Sequence, residues 1–126
     1  MPAMKTILLI EDNDNIRENL AEIIELAEYK VLTAANGELG ITIATEHKPD
    51  LVVCDIMMPV LDGYGVLQRL RNDPELHHIP VIFLTAMSEP VEKRTGMESG
   101  AYDYIVKPIG GPELVDSISN YFNKVR

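Results

Sequence analysis

The stretch over residues 51–63 is the feature that most constrains the fold of this chain. It begins with an apolar run over residues 51–54, continues at once with the carboxylate of Asp55, and is then broken by Pro59 and Gly63. An apolar run of this length between breakers predicts a buried β-strand, with Asp55 at its end beside a loop. A carboxylate that finishes a buried strand must be paired, bound to a metal ion or protonated. The alternative is an ordinary helix cap or turn residue.

Composition restricts the class of protein. The chain has 126 residues, 46% of them hydrophobic, which favours a single domain with an aliphatic core. Its net charge of −9 argues against binding to nucleic-acid phosphates or anionic lipid, and suits a cation site or a basic partner surface. The single Cys54 cannot form an internal disulfide, and a core position is expected for it. No membrane span or signal peptide is recognisable, so a cytoplasmic location is expected.

Strand and helix patterns alternate along the chain. Besides the central strand, apolar runs predict strands over residues 5–10, 29–34, 81–85 and 102–107. Helical periodicity fills the intervals, with Asn13 or Asp14 capping the first helix, and the segment after Thr85 predicts the weakest helix. The final helix has one apolar face, made of Leu114, Val115, Ile118, Tyr121, Phe122 and Val125. Five strands alternating with five helices predict an α/β fold, a doubly wound parallel sheet covered on both sides.

The polar residues that end these predicted strands form a candidate site. In a parallel sheet the carboxyl ends of the strands lie at one edge, which here brings together Glu11, Asp12, Asp55, Thr85 and Lys107. Three neighbouring acids require a cation, and oxygen ligands without nearby His or Cys favour Mg²⁺. With a hydroxyl and a lysine beside them, the acids suit an aspartyl-phosphate site in which Asp55 attacks phosphorus. Each residue alone also has an ordinary structural explanation, as a first-turn acid, a strand-end threonine or a solvated lysine.

The chain resembles the receiver domain of two-component response regulators, in particular the chemotaxis type, over nearly its whole length. The residues that carry the resemblance are Glu11-Asp12, residues 55–59 with Asp62-Gly63, Thr85-Ala86, and residues 100–108. It implies one receiver domain over residues 1–126 and a flavodoxin-like sheet of strand order 2-1-3-4-5. It also implies a cis peptide between Lys107 and Pro108.

The chemistry implied by the resemblance is a phosphorelay. Asp55 would accept a phosphoryl group from the phosphohistidine of a sensor histidine kinase or a phosphotransfer protein. Mg²⁺ would be held by Glu11 or Asp12, by Asp55, and by the backbone carbonyl of Met57. The protein would not be an enzyme in the usual sense, because it would assist only its own phosphorylation and dephosphorylation.

The resemblance also implies a switch made by Thr85 and Tyr104. The threonine hydroxyl would move toward the phosphoryl group and the tyrosine ring would turn inward, changing the face formed by the fourth helix, the fifth strand and the last helix. The alternative is that Tyr104 is a half-buried aromatic residue that does not move. The expected target is a downstream protein or an output domain, with no direct contact to nucleic acid or membrane. The chain ends soon after its last helix, which suits either a stand-alone regulator or a receiver taken from a longer protein.

The chain departs from the family pattern at several positions, and two other functions compete with the phosphorelay. In the family, the positions two residues after Asp55 and Thr85 flank the water that attacks the phosphoryl group, and here they are Met57 and Met87. A methionine side chain cannot orient water by a strong hydrogen bond, so slow self-dephosphorylation is expected. Tyr102 and Ile109 are further departures, and both lie outside the phosphorylation chemistry. The alternatives are a phosphorylation-independent binding module on a receiver fold and, with less support, an aspartate-nucleophile phosphohydrolase. The phosphohydrolases typically have a second acid where Met57 stands.

Overall fold

The computed structural model describes residues 4–124 of the chain. Strands and helices alternate strictly along it, as predicted. The elements are β1 (Thr6–Ile10), α1 (Asp14–Leu26), β2 (Lys30–Ala34), α2 (Gly37–His47), β3 (Leu51–Asp55), α3 (Gly63–Arg71), β4 (Val81–Thr85), α4 (Pro90–Glu98), β5 (Asp103–Val106) and α5 (Gly111–Lys124). Val125, predicted on the apolar face of the last helix, lies outside the described residues.

The five strands form one parallel sheet of order β2-β1-β3-β4-β5, which confirms the predicted topology. Asp55 is the last residue of β3, at the strand end where the sequence placed it, and it pairs with Leu84 of β4. The fifth strand is shorter at both ends than the apolar run suggested. Asp55 is therefore held by the sheet itself, which fixes its backbone more firmly than a loop would.

The core has two layers, one on each face of the sheet. Alternation along the strands sends successive side chains to opposite faces, as Val52 and Val53 do in β3. One layer packs against α2 and α3, and the other packs against α1 and α5. The strands β3 and β4 are buried along their whole length, as expected for a parallel sheet covered on both sides. Cys54 lies in this core, where burial raises the pKa of its thiol well above the ordinary 9.0 and leaves it unreactive.

Side-chain caps begin the first three helices. The Asn13 side chain accepts a hydrogen bond from Ile16 N at 3.0 Å, and the Asp62 side chain accepts one from Gly65 N at 2.8 Å. Helix α4 has Pro90 in its first turn and no side-chain cap. Since a side-chain cap stabilises a helix end by about 1 kcal/mol, the start of α4 is less stable than the starts of α1, α2 and α3. In the part of the chain that the structure describes, no helix combines the length and the apolar character that crossing a membrane would require.

Candidate functional site

The carboxyl ends of four adjacent strands bring the predicted site residues together at one edge of the sheet. Asp55 and Thr85 are the last residues of β3 and β4, Glu11 follows β1 directly, and Lys107 follows β5. The sheet order β1-β3-β4-β5 places these strand ends next to one another. The site is thus built on the ends of adjacent strands rather than on long loops.

Lys107 bridges two buried carboxylates. Its Nζ lies 2.8 Å from Oε1 of Glu11 and 3.1 Å from Oδ2 of Asp55, and Glu11 is 0% exposed. Burial alone would lower the pKa of Lys107, but the hydrogen bonds and charges of the two carboxylates outweigh it and raise this pKa. Lys107 is therefore a permanent cation at the site. The peptide that follows it, to Pro108, is cis, as the resemblance implied.

Three acids face one another beside this lysine. Carboxylate oxygens of Glu11, Asp12 and Asp55 all lie within 4.8 Å of one another. Burial raises the pKa of Asp12 above its ordinary 3.8, and its hydrogen bond and charge repulsion with Glu11 act in the same direction. The lysine alone does not neutralise this cluster.

The donor set fits a hard divalent cation. Oε2 of Glu11 accepts a hydrogen bond from Asn13 N at 3.2 Å. Its buried Oε1 accepts no well-aligned hydrogen bond, because the contact with Lys107 Nζ is an ion pair of poor hydrogen-bond geometry. With carboxylate oxygens of Asp12 and Asp55 within 4.8 Å, this buried oxygen is a suitable Mg²⁺ ligand directly or through water.

A short hydrogen-bond relay joins Thr85 to Tyr104. Oγ1 of the buried Thr85 accepts a hydrogen bond from Met87 N at 3.1 Å. The carbonyl oxygen of Met87 accepts one from the Tyr104 hydroxyl at 2.9 Å. The Tyr104 side chain points into the fold and is only 4% exposed, rather than half-buried. A displacement of the threonine can thus reach the tyrosine through a single residue.

The loop after β3 returns to the site and is strained. Met57 N donates a hydrogen bond to Oδ1 of Asp55 at 3.3 Å, which holds the start of the loop against the carboxylate. Val60 has a φ of 74°, a left-handed conformation that is unfavourable for a β-branched residue, and it is 82% exposed. A side chain at Gly63 would clash with the backbone of Asp55 and Ile56, so glycine lets α3 begin directly beneath the site.

Arg17 belongs to the surroundings of the site, although the sequence analysis did not select it. One guanidinium nitrogen donates to the backbone carbonyl of Glu11 at 2.8 Å, and another contacts Asp14 at 2.6 Å. These contacts hold the backbone that follows β1 against α1. The i, i+3 spacing of Asp14 and Arg17 was visible in the sequence, but the contact with the Glu11 carbonyl depends on how the chain leaves β1.

Known proteins of similar sequence match nearly all of this chain. The family model described as "Response regulator receiver domain" matches residues 7–119. "Transcriptional regulatory protein AfsQ1" of Streptomyces coelicolor is 44% identical over 111 residues, which cover 88% of this chain and 48% of that protein. "Probable transcriptional regulator ycf27" of Cyanidium caldarium is 42% identical over 120 residues, covering 95% of this chain and 47% of that protein. The chain thus spans about half the length of these curated relatives.

Solved structures agree with the sequence matches. The chemotaxis protein CheY4 of Vibrio cholerae superposes with a TM-score of 0.87 at 28% identity, covering 94% of this chain and 98% of that one. A response regulator receiver domain protein from Clostridium thermocellum superposes with a TM-score of 0.87 at 31% identity, covering 96% of each chain. The chain therefore belongs to the response regulator receiver domain family of two-component signalling proteins.

Proposed function

We propose that this receiver domain is a phosphoacceptor in which Asp55 takes a phosphoryl group from the phosphohistidine of a sensor histidine kinase or phosphotransfer protein. The observation that carries the proposal is the position of Asp55. Its carboxylate is buried at the end of a central strand, 3.1 Å from Lys107 and beside two further acids. Structural roles rarely require three such acids around one lysine, whereas phosphoryl transfer requires charge compensation on both sides of phosphorus.

The residues have separate tasks in the transfer. An oxygen of Asp55 forms a bond to phosphorus as the bond from phosphorus to the donor imidazole breaks, and the imidazole leaves with the electron pair. Lys107 is positioned to leave Asp55 and contact a phosphoryl oxygen, and Thr85 offers a hydroxyl to another. Glu11 or Asp12, Asp55 and the Met57 carbonyl would hold Mg²⁺, which supplies neutralisation of the charge on the phosphoryl oxygens. Lys107 Nζ, 3.1 Å from Oδ2 of Asp55, keeps a positive charge beside the attacking oxygen.

The proposed response to phosphorylation uses the relay already present. A Thr85 hydroxyl drawn toward the phosphoryl group would change its bond to Met87 N, and the Met87 carbonyl is the acceptor of the Tyr104 hydroxyl. The α4-β5-α5 face would then change, because Tyr104 lies on β5 under α4. This face is the proposed contact for a downstream protein or an attached output domain.

The names of the relatives indicate which cellular process the protein could regulate. AfsQ1 and ycf27 are named as transcriptional regulators, and the match covers about half of each. We infer that this protein also acts on transcription, through a partner or through a domain corresponding to the unmatched half. The described segment itself is not expected to contact DNA, because the chain carries a net charge of −9. A cytoplasmic location accompanies this proposal.

Intact mass after incubation with acetyl phosphate or phosphoramidate tests the proposed chemistry. With Mg²⁺ present we expect a single phosphoryl adduct on the wild type and none on Asp55→Asn. Asp50→Asn is a control, because Asp50 is an exposed acid at the opposite end of the same strand. Absence of an adduct on folded wild-type protein that binds Mg²⁺ would favour the phosphorylation-independent binding module.

A further inference from the structure

Helix α4 is attached to the rest of the protein chiefly through a glycine. Among the residues of α4, Gly96 alone is buried, and the helix lacks a side-chain cap at its start. Glycine is a poor helix former because it has the greatest backbone freedom to lose. Its presence in the middle of this helix, at its contact with the core, calls for a specific reason.

The reason is the ring of Tyr104. A Cβ atom placed at Gly96 would lie 2.6 Å from Cδ2 and 2.8 Å from Cε2 of that ring, and 3.7 Å from Cδ2 of Phe83. Separations below 3.0 Å do not occur between such carbon atoms, so the ring or the helix would have to move. The ring turns about its Cα–Cβ bond, whereas the Phe83 side chain behind it is completely buried. The clash is relieved when the ring turns away from the core or when α4, which has no side-chain cap, lifts off it, and either movement uncovers the ring.

The same ring is the end of the relay from the candidate phosphorylation site. Its hydroxyl is bonded to the Met87 carbonyl, and Met87 N is bonded to Thr85. The missing side chain at position 96 therefore decides whether the ring can occupy the inward place where this hydrogen bond exists.

We propose that Gly96 is a positioning residue of the switch, because its lack of a side chain lets α4 lie directly on the inward ring of Tyr104. The orientation of the ring and the seating of α4 are thereby tied to one another. A side chain at this position separates the ring from α4 and breaks the link between Asp55 and the α4 face. The functional part of this inference rests on the proposed phosphoacceptor role.

The orientation of the Tyr104 ring can be read directly. The chain has five tyrosines and no tryptophan, so 3-fluorotyrosine labelling gives five fluorine NMR signals, and Tyr104→Phe assigns one of them. Protection of that signal from a soluble paramagnetic agent reports burial of the ring. We compare samples that contain Mg²⁺ alone with samples that contain Mg²⁺ and beryllium fluoride. Beryllium fluoride is a phosphoryl analogue and has its own fluorine signal when bound.

We expect the Tyr104 signal to be protected in the wild type and exposed in Gly96→Ala, with and without the analogue. Gly110→Ala is the matched control, because a Cβ at Gly110 meets no atom within 4 Å, and it should behave as the wild type. A protected ring in Gly96→Ala would overturn the proposal. Failure of the analogue to bind the wild type would count against the phosphoacceptor role, while the samples with Mg²⁺ alone would still decide the role of Gly96.

Thermal unfolding of a double-mutant cycle provides the second measurement. In the wild-type background we expect Gly96→Ala to lower the Tm by about 3 °C or more, since the clash outweighs the better helix propensity of alanine. In the Tyr104→Ala background the same change should raise the Tm, because the ring is gone. Equal shifts in the two backgrounds would mean that residues 96 and 104 do not act on each other, and the proposal would be wrong.

Discussion

The acidic cluster predicts that removing one acid stabilises the protein when Mg²⁺ is absent. Asp12 is exposed and faces Glu11 and Asp55 within 4.8 Å. At 4.8 Å, two unit charges repel by about 0.9 kcal/mol in a water-like dielectric and by about 3.5 kcal/mol at an effective dielectric of about 20. Because solvent screens Asp12 and Lys107 offsets part of the repulsion, the lower end applies. We expect Asp12→Asn to raise the free energy of unfolding by about 1–2 kcal/mol at neutral pH.

The increase in the free energy of unfolding caused by Asp12→Asn depends on pH. The pKa of Asp12 in the folded protein lies above its ordinary value of 3.8. The folded state therefore holds the Asp12 proton more tightly than the unfolded state, and ionising this group costs stability as the pH rises through the raised pKa. The advantage of Asp12→Asn should be fully present above that pKa and should shrink toward zero as the pH falls to about 3.8.

Urea unfolding with EDTA or with saturating Mg²⁺ is the assay. At a Mg²⁺ concentration ten times its Kd, linkage stabilises the wild type by about 1.4 kcal/mol. If Asp12 belongs to the proposed Mg²⁺ site, Asp12→Asn should lose much of this Mg²⁺ effect, since it removes one negative charge beside the ion. Glu18→Gln, which removes an exposed acid from α1, is the control. It should change neither the free energy of unfolding in EDTA nor the stabilisation by Mg²⁺. If Asp12→Asn is no more stable than the wild type in EDTA at neutral pH, the electrostatic reasoning is wrong.

Other substitutions test further parts of the structure. Lys107→Met should lower the free energy of unfolding in EDTA by about 2–3 kcal/mol, because two carboxylates lose their cation. Mg²⁺ should then stabilise this variant by more than it stabilises the wild type. Val60→Asn should raise the stability by about 1 kcal/mol, because asparagine tolerates a left-handed backbone. If the phosphoacceptor role is right, combining Met57→Asn with Met87→Glu should shorten the phosphoryl lifetime, measured by loss of the adduct mass in purified protein.

Each of these tests has an outcome that contradicts it. Mg²⁺ that fails to restore Lys107→Met would mean that the lysine, rather than the charge balance, holds the site together. Val91→Asn serves as the comparison for Val60, because it is an equally apolar, exposed side chain in a helical backbone. An equal increase in stability for Val91→Asn would show that replacing an exposed apolar side chain by a polar one, not backbone conformation, is responsible. Fast phosphoryl loss in the wild-type protein would refute the inference drawn from the methionines.

The fold was predictable because local signals agreed with the global arrangement. Each strand is a short apolar run, each is followed by a polar residue or a breaker, and helical periodicity fills the intervals. The convergence of Glu11, Asp55, Thr85 and Lys107 then followed from parallel topology alone. Strand ends were the least certain part, because hydrogen bonds between strands rather than apolar character decide where a strand stops.

The remaining features depend on contacts between distant segments. The sequence did not distinguish the buried Glu11 from the exposed Asp12, although they are neighbours, because their burial depends on the direction in which β1 leaves the sheet. It also did not reveal the relay through the Met87 backbone, which carries no side-chain signal. The segment after Thr85 was predicted to form the weakest helix, and Gly96 is a poor helix former within it, whereas in the folded protein Gly96 is the point of contact with Tyr104. Sequence patterns report propensity and miss this kind of close approach.

The placement of the reactive residues on strand ends has a consequence for how such modules diversify. Asp55 and Thr85 are anchored by main-chain pairing within the sheet, and Glu11 and Lys107 directly adjoin it. The outward faces of the helices contribute nothing to that anchoring. Substitutions there can exchange one binding partner for another without disturbing the chemistry, so selectivity and reactivity can evolve independently. If the phosphoacceptor role is right, a surface redesign limited to exposed helix positions should redirect signalling while preserving the rate at which acetyl phosphate modifies Asp55.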